Sequence, residues 1–97
     1  MAKLEKECVI VAGARTATGN FLGSLKNVKA YDMGAACAKE VMRRTGLPGE
    51  AIDEVIFGNQ FQAGNNANPA RWAALYGGLP ETVPAFTPMK NCGTGLK

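Results

Sequence analysis

The residues most able to do chemistry lie together in Lys90-Asn91-Cys92-Gly93-Thr94-Gly95-Leu96-Lys97. A cysteine here follows a strand-like segment and precedes what reads as a helix start. The unpaired N–H groups and aligned peptide dipoles of a helix N-terminus favour negative charge, so a thiol set there ionises readily. A thiolate is the nucleophile of acyl transfer. The flanking glycines let a substrate approach the backbone closely, and the Cys92 N–H is a candidate donor to an oxyanion. Cys92 is therefore the candidate nucleophile, set against the usual state of a lone cysteine, a buried structural thiol. The chain has no histidine, the commonest group for activating a thiol. It ends five residues after Cys92, inside the expected helix. Because one helical turn is unstable alone, the continuation is expected from a second polypeptide that carries the rest of the fold.

Other residues invite structural readings. Cys8 falls in a strand-like run and Cys37 on the apolar face of a helix, so both are expected to pack in the core. Arg15 and Arg71 could bind phosphate, but isolated arginines more often hold loops by ion pairs or by capping carbonyls. Lys90 has nothing nearby to desolvate it and reads as solvated or structural. Trp72 and Tyr76, at i and i+4, read as packing or interface. Three well-separated cysteines with no CxxC pair make no metal site. Neither Gly13 to Gly23 nor Gly93 to Lys97 has the spacing of a nucleotide-binding loop.

The elements that must position Cys92 alternate. Cys8-Val9-Ile10-Val11-Ala12 is β-branched, apolar and ended by Gly13, and predicts a buried strand. A glycine- and threonine-rich loop follows. Asp32 is the expected cap of a helix to about Thr45, with Met33, Cys37 and Val41 on one face, arginines in the last turn, Gly46 as stop and Pro48 beyond. Glu54 to Phe57 predicts a second buried strand. Gln60 to Ala67 reads as a polar loop around Gly64-Asn65-Asn66. Asn68-Pro69 starts a helix through Arg71, Trp72 and Leu75 to Gly77-Gly78. Thr82 to Thr87 is a third extended segment, made an edge strand or irregular at its ends by Pro84 and Pro88. This alternation predicts an α/β layered domain.

Composition excludes several classes. The net charge is only +3 and the basic residues are scattered, which disfavours nucleic acid. No apolar stretch approaches the length of a membrane span. The charged start Met1 to Glu7 is not a secretory signal, and an odd number of cysteines fits free thiols in a reducing compartment, so a cytoplasmic protein is expected.

Taken in order, these segments resemble the N-terminal part of a thiolase. The resemblance rests on Val9-Ile10-Val11 leading to Ala14-Arg15-Thr16, then Gly19, Phe21 and Gly23-Ser24-Leu25. It continues through Asp32-Met33-Gly34-Ala35, Gly58-Asn59, Gln62-Ala63-Gly64 and Asn68-Pro69-Ala70-Arg71. It closes with Val83-Pro84-Ala85-Phe86-Thr87 and Cys92-Gly93-Thr94-Gly95-Leu96. Ala17 stands where many relatives have proline, Pro88-Met89 where they often have Val-Asn, and Thr94 where serine is common.

The resemblance implies a thiolase-like fold of helices packed on a mixed sheet, with residues 1–97 forming only the first portion of the N-terminal domain. It implies a reversible Claisen condensation of two acetyl-CoA to acetoacetyl-CoA, or thiolysis of 3-ketoacyl-CoA, through an acyl-Cys92 intermediate, and so favours Cys92 as the catalytic nucleophile over a structural thiol. Coenzyme A thioesters are then substrates and no cofactor is permanently bound. The histidine base, a second cysteine and most coenzyme A contacts fall outside this chain, and the assembled enzyme is expected to be a homodimer or tetramer. The alternatives are a related condensing enzyme, of the ketosynthase or hydroxymethylglutaryl-CoA synthase type, and a non-catalytic thiolase-like scaffold with a sluggish thiol.

Overall fold

The computed structural model describes residues 5–62 and 67–97. Its elements are helix α1 (Ala30–Thr45), a 3-10 turn at Gly49–Ala51, strand β1 (Val55–Ile56), helix α2 (Pro69–Tyr76), strand β2 (Ala85–Phe86) and a 3-10 turn at Thr94–Leu96. The two strands pair in parallel, Val55 opposite Ala85 and Ile56 opposite Phe86, with α2 as the crossover between them. This is a small α/β unit, as the alternation of elements predicts. The Gly64-Asn65-Asn66 part of the expected polar loop lies outside the described residues.

Helix α1 stops where the sequence says it should. Gly46 adopts φ 68°, a left-handed conformation that glycine enters without a Cβ clash, and its N–H caps the Met42 carbonyl. Its start differs from expectation. The N-cap is Lys29, in extended conformation and without a side-chain cap, and Asp32 sits inside the first turn. There its charge still complements the N-terminal end of the helix dipole. Helix α2 begins as read, with the Asn68 side chain accepting from the Arg71 N–H and Pro69 in the first helical turn.

The helices meet through small residues. A Cβ on Gly34 would lie 3.0 Å from that of Ala73, and one on Gly77 would lie 3.0 Å from that of Ala38. Backbones that close admit no larger side chain. Beneath them Val55, Ala74, Leu79 and Val83 form the buried cluster, flanked by Met42, Ile52, Phe57 and Ala85. Burying each Val or Leu there contributes about 1.5–3 kcal/mol, so this cluster holds β1 and β2 under α2.

The expected first strand does not form. Cys8 to Ala12 carries no regular structure, and Val9, Ile10 and Val11 are 70%, 96% and 69% exposed. A strand exists only by pairing its backbone with a neighbour, and among the described residues no strand pairs with this run. Cys8 is consequently exposed rather than packed in the core, whereas Cys37 is half-buried on the inner face of α1. Pro84 and Pro88 bracket β2 and limit it to two residues, as their missing N–H groups dictate.

Candidate functional site

The site begins with the fastening of the segment that leads to Cys92. The Arg71 guanidinium donates from Nη1 to the Val83 carbonyl at 2.7 Å and from Nη2 to the Glu81 carbonyl at 2.8 Å. The carbonyl-capping reading of Arg71 therefore holds. Asn68 Nδ2 donates to the Ala85 carbonyl at 3.1 Å. Thr87 Oγ1 donates to Asn68 Oδ1 at 2.7 Å and accepts from the Ala70 N–H at 3.0 Å. The side chains of Asn68 and Arg71 and the Ala70 N–H thus tie the start of α2 to residues 81–87. Of these side chains, the sequence reading reached Asn68 as a cap and Arg71 as a clamp. It gave no role to Thr87, which carries no pattern of its own.

Beyond β2 the chain turns sharply. The Gly93 N–H donates to the Lys90 carbonyl at 2.9 Å and the Thr94 N–H to the Asn91 carbonyl at 3.2 Å. Asn91 takes φ 50°. Few residues other than glycine enter this left-handed region at low cost, and asparagine is one of them. Cys92 is exposed and lies inside both of these overlapping turns. The Thr94 hydroxyl ties both sides of it together, accepting from the Lys90 N–H at 2.8 Å and donating to the Asn91 carbonyl at 2.7 Å. The Asn59 N–H donates to the Pro88 carbonyl at 3.3 Å, and Gly58 lies against Thr94 so closely that a Cβ on it would fall 2.5 Å from Thr94 Cγ2. The end of β1 and the cysteine turn are one packed unit.

The expected helix start after Cys92 takes the form of a 3-10 turn over Thr94–Leu96. Three residues align too few peptides to act as a helix dipole, so it is the two turns and the hydroxyl brace that set the thiol's place. Lys90 is exposed and contributes its backbone N–H. Arg15 is exposed and donates to the neighbouring Thr16 carbonyl. Among the described residues neither side chain forms a hydrogen bond with Cys92. Trp72 and Tyr76 join Tyr31 in an aromatic cluster, with ring centroids 5.4–5.7 Å apart.

Further from the turn, Glu40 accepts from Arg43 Nε and Nη2 and from Arg44 Nε, while Arg44 Nη1 donates to the Gly13 carbonyl. These hydrogen bonds, from Arg43 first and Arg44 second, hold the Glu40 carboxyl down to about 2. Among the described residues no group of three or more His, Cys, Asp or Glu side chains could hold a metal ion. No helix in them is long and apolar enough to cross a membrane.

Comparison with known proteins identifies the family of this fold. The family model described as thiolase, N-terminal domain, matches residues 8–97. A "Probable acetyl-CoA acyltransferase" of Staphylococcus aureus strain NCTC 8325 / PS 47 is 56% identical over 89 residues, covering 92% of this chain and 23% of the relative. The protein of that name from the bovine strain RF122 / ET3-1 is 54% identical over the same share of each. The crystal structure of the Bacillus anthracis acetyl-CoA acetyltransferase superposes with a TM-score of 0.85 at 39% identity, over 91% of this chain and 22% of that one. The chain thus spans under a quarter of the length of the relatives it matches.

Proposed function

The chain belongs to the thiolase family, and on that premise we propose that its turn around Cys92 carries the acyl group in a reversible Claisen condensation of coenzyme A thioesters. The observation that carries this reading is an exposed thiol held inside two overlapping hydrogen-bonded turns just beyond a buttressed strand. The Cys92 thiolate attacks the thioester carbonyl carbon, and coenzyme A leaves with a proton from an acid. The acyl group is then on sulfur. A second acetyl-CoA gives its α-proton to a base, the carbanion attacks the acyl carbon, and the Cys92 thiolate departs to leave acetoacetyl-CoA. Thiolysis of a 3-ketoacyl-CoA is the reverse. The Cys92 N–H, which makes no hydrogen bond among the described residues, serves as one donor to the tetrahedral oxyanion. No cofactor is permanently bound in this scheme.

The acid and base come from further polypeptide, since these 97 residues contain no histidine. A large uncovered surface supports that reading. The chain exposes 7599 Å², against about 5,300 Å² for a folded monomer of its 10.2 kDa mass. The rest of the thiolase fold covers the apolar run at Val9-Ile10-Val11, and the assembled enzyme is a dimer or tetramer. Free, exposed Cys8 and Cys92 suit a reducing, cytoplasmic setting.

The test uses the complete enzyme that carries this segment. Incubation with acetyl-CoA should add an acetyl group to the peptide containing Cys92, seen by mass spectrometry. Cys92→Ser should abolish both that label and cleavage of acetoacetyl-CoA by coenzyme A. Unchanged cleavage by the serine variant would refute the assignment.

A further inference from the structure

We propose that Thr94 is the positioning residue for the Cys92 thiol, its hydroxyl bracing the turn from inside and its methyl setting the turn against Gly58. The inference rests on the reading of Cys92 as the nucleophile.

The hydroxyl makes two bonds that straddle the cysteine. It accepts from the Lys90 N–H at 2.8 Å and donates to the Asn91 carbonyl at 2.7 Å. The second bond reinforces the backbone bond from the Thr94 N–H to the same carbonyl at 3.2 Å. Asn91 is the residue with φ 50°, so the brace acts on the one peptide in this turn that leaves the ordinary regions of backbone space. With that peptide held on one side of Cys92 and the Gly93 N–H bonded to the Lys90 carbonyl on the other, the backbone that aims the Cys92 Cα–Cβ bond is constrained. No other side-chain oxygen or nitrogen among the described residues bonds to the backbone of 90–93.

The methyl has a separate task. Gly58 ends the segment that continues β1, and its missing Cβ leaves the space that Thr94 Cγ2 occupies, 2.5 Å from where a Cβ would stand. The methyl therefore registers the turn against the sheet, and the hydroxyl registers the thiol against the turn. Substitution separates the two tasks, and the hydroxyl is the group that acts on the backbone around the thiol. Valine keeps the branch and loses both bonds. Serine keeps the bonds and loses the contact.

The experiment compares Thr94→Val, Thr94→Ser and Cys92→Ser in the complete enzyme. It measures iodoacetamide alkylation peptide by peptide, with Cys8 as internal reference, its pH profile, and kcat and KM for acetoacetyl-CoA cleavage. A displaced nucleophile costs about ten- to a hundredfold. Thr94→Val should therefore slow Cys92 alkylation and lower kcat to that extent, with KM and Cys8 alkylation unchanged, and Thr94→Ser should restore most of both. Wild-type alkylation and kcat in Thr94→Val, with Cys92→Ser inactive, would overturn the proposal while leaving the nucleophile in place. An active Cys92→Ser would instead sink the nucleophile assignment.

If Thr94→Val does not fold, the Gly58 pair decides. Gly58→Ala should slow Cys92 alkylation, and Gly58→Ala with Thr94→Ser should return it to within about threefold of wild type, since the colliding methyl is gone. No recovery in the double variant would overturn the proposal.

Discussion

The Thr87 hydroxyl donates to the side-chain oxygen of Asn68 at 2.7 Å. This bond joins the end of β2 to the cap of α2, and the same hydroxyl accepts from the Ala70 N–H. The strand that delivers Cys92 is thus held by the helix before it, through side chains 19 residues apart. Removing Thr87 takes the acceptor from the half-buried Ala70 N–H, and removing Asn68 takes the acceptor from the Thr87 hydroxyl, each of which costs more than the bond itself contributes.

Thr87→Val should destabilise the complete protein by about 1–3 kcal/mol, and Asn68→Ala by a comparable amount. The two sites share one network, so the double variant should lose less than the two losses combined. Urea unfolding of all four proteins measures this. Strict additivity would show that the bond is not a shared unit.

Arg71 reaches two carbonyls with one planar fork. Lysine keeps the charge and cannot match that geometry. Arg71→Lys should therefore loosen residues 81–83 and lower stability by about 1–3 kcal/mol. Faster amide hydrogen exchange in that segment, compared with wild type, is the expected readout. Unchanged exchange would show that the fork adds nothing beyond its charge.

Asn91 holds φ 50° immediately before the thiol. Asn91→Gly should be accepted with near-wild-type melting temperature, because glycine enters the left-handed region freely. A β-branched residue there pays the steric penalty of about 1–2 kcal/mol, so Asn91→Val should melt lower and slow Cys92 alkylation. Equal melting of the glycine and valine variants would mean that the turn relaxes.

The Glu40 carboxyl is held down to about 2 by Arg43 and Arg44. A group whose folded value lies below its unfolded one stabilises the fold above the unfolded value, and that contribution is lost as pH falls. The loss should run from the ordinary 4.5 down towards about 2. Glu40→Gln should remove this part of the acid sensitivity, read as a smaller drop in helical circular dichroism between pH 5 and 2. Because the group is exposed, added salt should shrink the effect in wild type. The same acid profile in both proteins would exclude Glu40 as its source.

Much of this unit was legible in local chemistry. Gly46 marks the end of α1 because only glycine takes that backbone conformation without a Cβ clash, and Asn68-Pro69 marks the start of α2 because the amide caps what proline pre-shapes. The cysteine between glycines is equally local, and so is the alternation of apolar runs that predicts an α/β unit. Tertiary structure alone decided the rest. Cys8 to Ala12 has a strand's composition yet no ladder, since β-branched residues favour a pleat only where a neighbour supplies hydrogen bonds. Asp32 looked like a cap, but the chain entered α1 two residues before it. Nothing near Thr87, Arg71 or Gly58 in sequence announces Asn68, Val83 or Thr94 as a partner. Periodicity and propensity record which face of an element is apolar and where it stops. Which distant backbone group meets a given hydroxyl or guanidinium follows from how the finished layers stack.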